Sequence, residues 1–285
     1  MPIDNSILKE LALRSPLLAK IPKDLFYYSN LQNRAALALN QGFPQPGIHK
    51  YLNWPEEDRS KKDYYKEFSY HVNDLGYRGD YPSVDEKDLL GFFGCSCTFG
   101  EGLAAEDVFT DIVAKHYNRS SLNLGMPGAG FHRIALIFAA ATRVWNLKTA
   151  VVTLPNYARF HYVSAENYIY SIIPPHPTEP EEAETIRMDL VKHFSDQYFM
   201  SAAKDAVAWI VTTARERNID LVLGCWEWDT LNVIQSVVDC PNSYVLNYQL
   251  HYDRETARDN VHPGPGANRI YAGQIIRQIN EKKYV

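Results

Sequence analysis

The sequence predicts an α/β fold, a parallel sheet covered by helices on both faces, and three observations lead to it. Short apolar runs alternate with helix-length segments from Leu89 to near the C-terminus, the order that crossover-connected parallel strands require. The run Leu89-Leu90-Gly91-Phe92-Phe93-Gly94 has no polar alternation and is too short for a core helix, so it reads as a buried strand. It feeds the Gly-flanked turn Gly94-Cys95-Ser96-Cys97-Thr98-Phe99-Gly100-Glu101-Gly102. A hydroxyl on that turn, Ser96, lies at the carboxyl edge of the sheet, where open α/β folds place their ligands.

Each element follows from its own pattern. Residues 1–88 read as an N-terminal helical and loop extension without a strong core, expected to pack on a main domain of residues 89–285. Within the extension, Leu8 to Ile21 suggests short helical pieces broken by Pro16 and Pro22, and Leu31 to Leu39 a second helix. A loop through Pro44 and Pro55, a charged patch from Glu56 to Lys66, a short strand over Glu67–Tyr70 and a turn-rich stretch to Asp80 follow. Beyond the first strand, helical spacing covers Ala104–Tyr117, a strand Ser121–Leu124, and a long apolar helix Phe131–Leu147. Ala150–Leu154 is a strand, and Phe160–Ile169 is expected to be helical. A stiff insertion, Ile173 to Pro180, separates these from a helix over Arg187–Arg215. Strand Asp220–Cys225, helix Leu231–Val238, strand Ser243–Leu246 and helix Ala267–Ile279 complete the chain.

Composition narrows the function. The 285 residues are 46% hydrophobic, enough for one sizeable core. A net charge of −5 without a long basic run argues against a nucleic-acid partner. The four cysteines, Cys95, Cys97, Cys225 and Cys240, lack zinc spacings, so reduced thiols are expected, with no metal site and no disulfide framework. No basic leader and no apolar stretch of membrane-spanning length is seen, which leads to the expectation of a cytoplasmic location. No Gly-Lys-Ser/Thr follows Gly100-Glu101-Gly102, so neither a nucleotide nor another cofactor is expected. The oligomeric state is not legible.

A serine hydroxyl is a poor nucleophile until a base takes its proton, and the base needs an orienting acid. Asp259 and His262, three apart in Asp259-Asn260-Val261-His262-Pro263-Gly264, can supply that pair from a turn ahead of the last helix. The same motif also reads as a capped turn. Acyl transfer needs donors for the developing oxyanion. The glycines of Asn123-Leu124-Gly125-Met126-Pro127-Gly128-Ala129-Gly130 allow a backbone N–H to point into a site, and Asn156 can offer a side-chain N–H. Other groups read more plainly: Cys95 and Cys97 as buried hydrophobes, His132 as a boundary residue, His251 with Asp253 as a weaker pair. Trp226, Glu227, Trp228 and Asp229 form either a sugar-binding wall or a packed corner.

In this order the pieces resemble the SGNH (GDSL-like) hydrolases. Gly94 to Gly100 is similar to the family's first block, Asn123 to Gly128 to its second, Asn156 to the asparagine of its third, and Asp259/His262 to its Asp-x-x-His. The stretch Asn73 to Gly79 resembles segments that precede the first block in some members. The resemblance implies a flavodoxin-like three-layer α/β/α domain that hydrolyses esters, often acetyl or other acyl esters on carbohydrates or lipids. It assigns Ser96 as nucleophile, His262 as base, Asp259 as its partner, and Ser96, Gly128 and Asn156 as oxyanion donors. Two positions depart from the family. Cys95 stands where an aspartate is usual, and Leu154-Pro155-Asn156-Tyr157 replaces Gly-x-Asn-Asp. The expectation is therefore a metal-independent serine esterase acting on a small-molecule or glycan ester. The alternatives are a binding protein of the same fold and an acyltransferase to an acceptor other than water.

Overall fold

The computed structural model describes residues 47–50, 68–73, 77–163, 169–172, 195–238, 243–245, 256–257 and 262–281. In chain order these form β1 (Gly47–Lys50), β2 (Ser69–Val72), β3 (Leu89–Gly94), a one-turn helix α1 (Ser96–Phe99), a 3-10 turn (Ala105–Asp107) and α2 (Phe109–Tyr117). Then come β4 (Ser121–Gly125), α3 (Phe131–Val144), β5 (Leu147–Leu154), β6 (Phe160–Val163), β7 (Ile169–Ile172) and α4 (Asp196–Glu216). The chain closes with β8 (Asp220–Cys225), α5 (Trp228–Gln235), β9 (Ser243–Val245) and α6 (Pro265–Asn280).

Five strands make the parallel central sheet, in the order β4-β3-β5-β8-β9. Numbered within that sheet the order is 2-1-3-4-5, the doubly wound arrangement of flavodoxin-like folds. The first strand of such a sheet lies inside it, with neighbours on both sides, and its carboxyl end is the switch point. Gly94 is level with Gly125 on one side and with Thr153 on the other. The turns after β3, β4 and β5 therefore leave the sheet side by side.

Alternation along the strands builds two cores. Leu89 and Phe93 of β3, Ala150, Val152 and Leu154 of β5, and Leu221 and Leu223 of β8 face α3, α4 and α5. Leu90 and Phe92, Val151 and Val222 face α2 and α6 on the other side. All six β3 residues are buried, which explains the continuous apolar run. The fold is the expected three-layer α/β/α sandwich.

Several boundaries move. The expected helix Ala104–Tyr117 is split, because Val108 is extended (φ −84°, ψ 137°) and restarts the helix at Phe109. Leu147 joins β5 rather than α3. The last helix begins at Pro265, so proline occupies its first turn, where a missing N–H costs nothing. The clear correction concerns Phe160–Ile169. Helix was expected there, but Phe160–Val163 and Ile169–Ile172 pair as an antiparallel ribbon. Phe-His-Tyr-Val and Ile-Tyr-Ser-Ile are rich in aromatic and β-branched residues, which favour strands. The expected elements at Leu8–Ile21, Leu31–Leu39 and residues 173–180 lie outside the described residues. So does Arg187 to Phe194 of the expected helix.

Candidate active site

The turn that carries Ser96 is set by how closely α1 descends onto the sheet. A Cβ added at Gly94 would come 2.1 Å from Thr98 Oγ1, and one at Gly125 2.3 Å from the Phe99 nitrogen. Only glycine at both strand ends lets the one-turn helix sit there. Cys95, extended, is its N-cap, and Gly100 ends it in the left-handed conformation (φ 82°). Asn123 of β4 donates from Nδ2 to the Thr98 carbonyl (2.9 Å) and accepts from the Gly125 N–H (2.9 Å), tying α1 to the neighbouring strand. Ser96 is 5% exposed.

The segment before β3 grips the far end of the same turn. Arg78, itself buried, donates to the carbonyls of Phe99 (3.2 Å), Gly100 (2.6 Å) and Leu103 (2.8 Å). Its guanidinium lies 4.7 Å from the Tyr70 ring centre and 5.8 Å from that of Phe99, a desolvated cation on two aromatic faces. The Tyr70 hydroxyl accepts from the Gly102 N–H at 2.7 Å. Arg78 is held by a turn in which the Asn73 side chain accepts from the Tyr77 N–H and donates to the Gly79 carbonyl.

The imidazole arrives from the other end of the chain. His262 Nε2 lies 2.7 Å from Ser96 Oγ across 166 residues of sequence. With the ring hydrogen on Nδ1, Nε2 accepts from the serine hydroxyl. The His262 loop is held by a short antiparallel bridge, Thr256 to Pro263, and by the Ala257 N–H donating to the His262 carbonyl (2.6 Å). Asn268 of α6 adds a latch. Its Nδ2 donates to the carbonyls of Pro263 and Gly264 (3.0 Å each), and its Oδ1 accepts from the Phe109 N–H (3.1 Å). Pro263 braces the loop through that bridge, one residue ahead of the Gly264 N-cap.

A carboxylate missed by sequence reasoning completes this cluster. Glu101 Oε2 stands 3.7 Å from His262 Nε2, with the Glu101 side chain 7% exposed and that of His262 18%. In the sequence Gly100-Glu101-Gly102 reads only against a phosphate loop, which it does not match. A charge between two glycines directly after the nucleophile turn is the signal that could have found it.

The remaining expected residues are distributed along the same edge. Gly128 is in a left-handed conformation (φ 75°), in a turn where the Met126 N–H donates to the Gly94 carbonyl and the Ala129 N–H to the Met126 carbonyl. Asn156 follows β5, and its Nδ2 donates to Glu227 Oε2 at 2.6 Å while its Oδ1 accepts from the Ala158 N–H. One of its two amide hydrogens is thus already committed to a carboxylate from the loop after β8. Trp226 is buried against Phe109 and Tyr271, whereas Trp228 is 52% exposed; the tryptophans divide between packed corner and open wall. Cys95, Cys97 and Cys225 are free thiols. The Cys95 thiol is held well below its usual range, first by a hydrogen bond with Cys97 and then by the positive charges of Arg159 and His262, against the effect of burial. Burial pushes the Cys225 thiol up to about 11. His132 is exposed on α3. Asp259, His251, Asp253 and Cys240 lie outside the described residues.

Among the described residues no three His, Cys, Asp or Glu side chains are grouped to hold a metal ion, and no helix is long and apolar enough to cross a membrane. No protein-family model matches the sequence, and no curated protein matches it significantly. Solved structures do. An acetyl xylan esterase (Est2A) from the rumen bacterium Butyrivibrio proteoclasticus matches with a TM-score of 0.50 at 13% identity, covering 76% of this chain and 68% of its own. A carbohydrate esterase family 2 enzyme from Corynascus thermopiles matches with a TM-score of 0.49 at 13% identity over 76% and 72% of the two chains. AlinE4, an SGNH-hydrolase family esterase, gives 0.41 at 14% identity over 71% of this chain and 100% of that one. The resemblance to the SGNH (GDSL-like) hydrolases thus holds at the level of the fold, a parallel sheet flanked by helices. At 13% identity the likeness is one of chain path, and the reaction has to be argued from this chain's own side chains.

Proposed function

We propose that the protein is a serine ester hydrolase that removes acetyl or other short acyl groups, from a carbohydrate in the favoured case. One observation carries the reading: a serine at the switch-point turn of the sheet and a histidine from the chain's last loop meet at 2.7 Å through Nε2 and Oγ. Ser96 Oγ attacks the ester carbonyl carbon and its proton passes to His262 Nε2. The tetrahedral intermediate collapses, the ester C–O bond breaks, and the Nε2 proton goes to the leaving alkoxide. Water then gives a proton to Nε2 as its oxygen attacks the acyl carbon; the acyl C–Oγ bond breaks, Nε2 returns the proton to Ser96 Oγ, and the acid leaves.

In this proposal Asp259 receives the Nδ1–H and fixes the tautomer. The N–H groups of Ser96 and Gly128, and the uncommitted amide hydrogen of Asn156, take the oxyanion. Support comes from the register, since Gly94, Gly125 and Thr153 are level and the three loops leave the sheet together. The carbohydrate preference rests on the open Trp228 at the same edge. The similarly folded Butyrivibrio protein is named as an acetyl xylan esterase.

A second reading, a binding protein of the same fold, is favoured by the engagement of Asn156 with Glu227 and by cysteine at position 95. Labelling separates the two. A fluorophosphonate is expected to add to Ser96 of the intact protein and not to the Ser96→Ala variant, with His262→Ala slowing labelling roughly 10³-fold. Absence of adduct on Ser96 removes the esterase reading. The labelling rate is expected to fall as pH drops through about 6.5, because a protonated imidazole cannot accept the serine proton. A flat profile between about pH 5 and 8 contradicts the role of His262.

A further inference from the structure

We propose that Glu101 is a positioning residue of this site, its buried carboxylate set on the reacting-nitrogen side of His262 to hold the imidazolium formed when Ser96 gives up its proton. The inference rests on the esterase reading above and adds a second acidic group, distinct from the Asp259 expected at Nδ1. The carboxylate is 3.7 Å from Nε2, the atom that also meets Ser96 Oγ at 2.7 Å. At that distance it does not displace the serine as hydrogen-bond partner. It acts through space on the charge that appears there, and in a site screened from water such a charge pair counts for more than at the surface.

The turn is built to keep this carboxylate in place. The Glu101 N–H donates to the Ser96 carbonyl (3.1 Å), so acid and nucleophile share one backbone ring. On either side stand Gly100 and Gly102, both left-handed (φ 82° and 75°). The Gly100 carbonyl is held by Arg78 and the Gly102 N–H by the Tyr70 hydroxyl. A glutamate between two pinned glycines has little freedom to swing away from the imidazole. A carboxylate at that position favours the positive charge that the catalytic cycle places on the ring.

Other charged groups face the same ring. The Cys95 thiol feels the charges of His262 and of Arg159, which stands in the loop after β5. Asp259 is expected on the imidazole's own loop. A negative charge on Cys95 or Asp259 acts in the same direction as Glu101, so the charge at position 101 has to be isolated by substitution.

The experiment compares wild type, Glu101→Gln and Glu101→Asp by the pH dependence of fluorophosphonate labelling at Ser96. Removing the negative charge makes the imidazolium harder to form. The base form then persists to lower pH, and the acid limb of the profile moves down by about half a unit to one and a half units. The maximal labelling rate falls about 10-fold in Glu101→Gln, because the imidazolium in the transition state has lost its partner. Glu101→Asp, whose carboxylate is withdrawn by one methylene, shifts the limb in the same direction by less. A loss of rate with the limb unmoved, or moved upward, overturns the inference, since a purely structural residue does not change the titration of His262. If Glu101→Gln does not fold, an unmoved limb in Glu101→Asp overturns it equally. Failure of the esterase reading looks different, because wild type itself then carries no adduct on Ser96.

Discussion

The two halves of the serine–histidine pair are held in unlike ways. The turn of Ser96 is clamped by buried groups from other parts of the fold: glycines at two strand ends that admit α1, the Arg78 guanidinium on three carbonyls, and the Tyr70 hydroxyl on the Gly102 N–H. Among the described residues, the loop of His262 is tied by the Thr256–Pro263 bridge, by the Ala257 N–H on the His262 carbonyl and by the side chain of Asn268. The serine is thus part of the core, and the histidine is latched to the core from outside. Damage to the first half should appear as lost stability together with lost reactivity. Damage to the second should appear mainly in reactivity.

The largest effect expected on this contrast is at Arg78. Arg78→Ala removes a buried cation and the side-chain donor shared by three carbonyls. A loss of about 3–5 kcal/mol in unfolding free energy follows, with a melting temperature lower by roughly 10 °C. Labelling of Ser96 should fall in parallel. Arg78→Lys recovers only part of the loss, because a single ammonium cannot fan out to three acceptors. Wild-type melting in Arg78→Ala would break the comparison at its stronger end.

Asn268→Ala tests the latch. Its side chain makes three hydrogen bonds, two to the loop behind His262 and one to the first N–H of α2. The expected cost in stability is smaller, about 1–3 kcal/mol. The labelling rate should drop by 10- to 100-fold, since a shift of about an ångström in a reacting group is enough for that. Unchanged labelling alongside reduced stability would make Asn268 a cap for α2 and leave the bridge at Pro263 to place the imidazole.

The same contrast governs how much could be read from sequence. The sheet was legible because a strand buried on both faces must be apolar throughout, as Leu89–Gly94 is, and because its end must turn sharply at glycine. Ser96 was legible as the hydroxyl on that turn, and His262 from the Asp-x-x-His spacing ahead of Pro-Gly. The clamp was not. An arginine and a glutamate in polar turns have the signature of a solvated surface, and nothing local states that carbonyls from residues 99–103 will converge on Arg78 or that Glu101 will be folded under an imidazole. Charge burial is decided by tertiary partners, which carry no period. The ribbon of β6 and β7 failed for a different reason: its two strands are four residues each, too short for periodicity to separate them from a helix. Asn156 was legible as a residue of the third loop, but its bond to Glu227 joins loops 71 residues apart.

The smallest predicted effect sharpens the contrast most. Tyr70→Phe keeps the ring beneath the Arg78 guanidinium and removes only the oxygen that accepts from the Gly102 N–H. Tyr70 is 3% exposed, so phenylalanine fills the same space and the amide loses its partner without gaining water. A buried unsatisfied N–H costs about 1–3 kcal/mol. Because the cation–aromatic contact and the three Arg78 bonds remain, labelling of Ser96 should stay within about 3-fold of wild type, well short of the loss expected for Asn268→Ala. Equilibrium unfolding measured beside the labelling rate separates the two quantities. A fall in labelling as large as that of Asn268→Ala, at so modest a loss of stability, would mean that the nucleophile turn is poised rather than clamped, with one hydroxyl deciding where Ser96 and Glu101 stand.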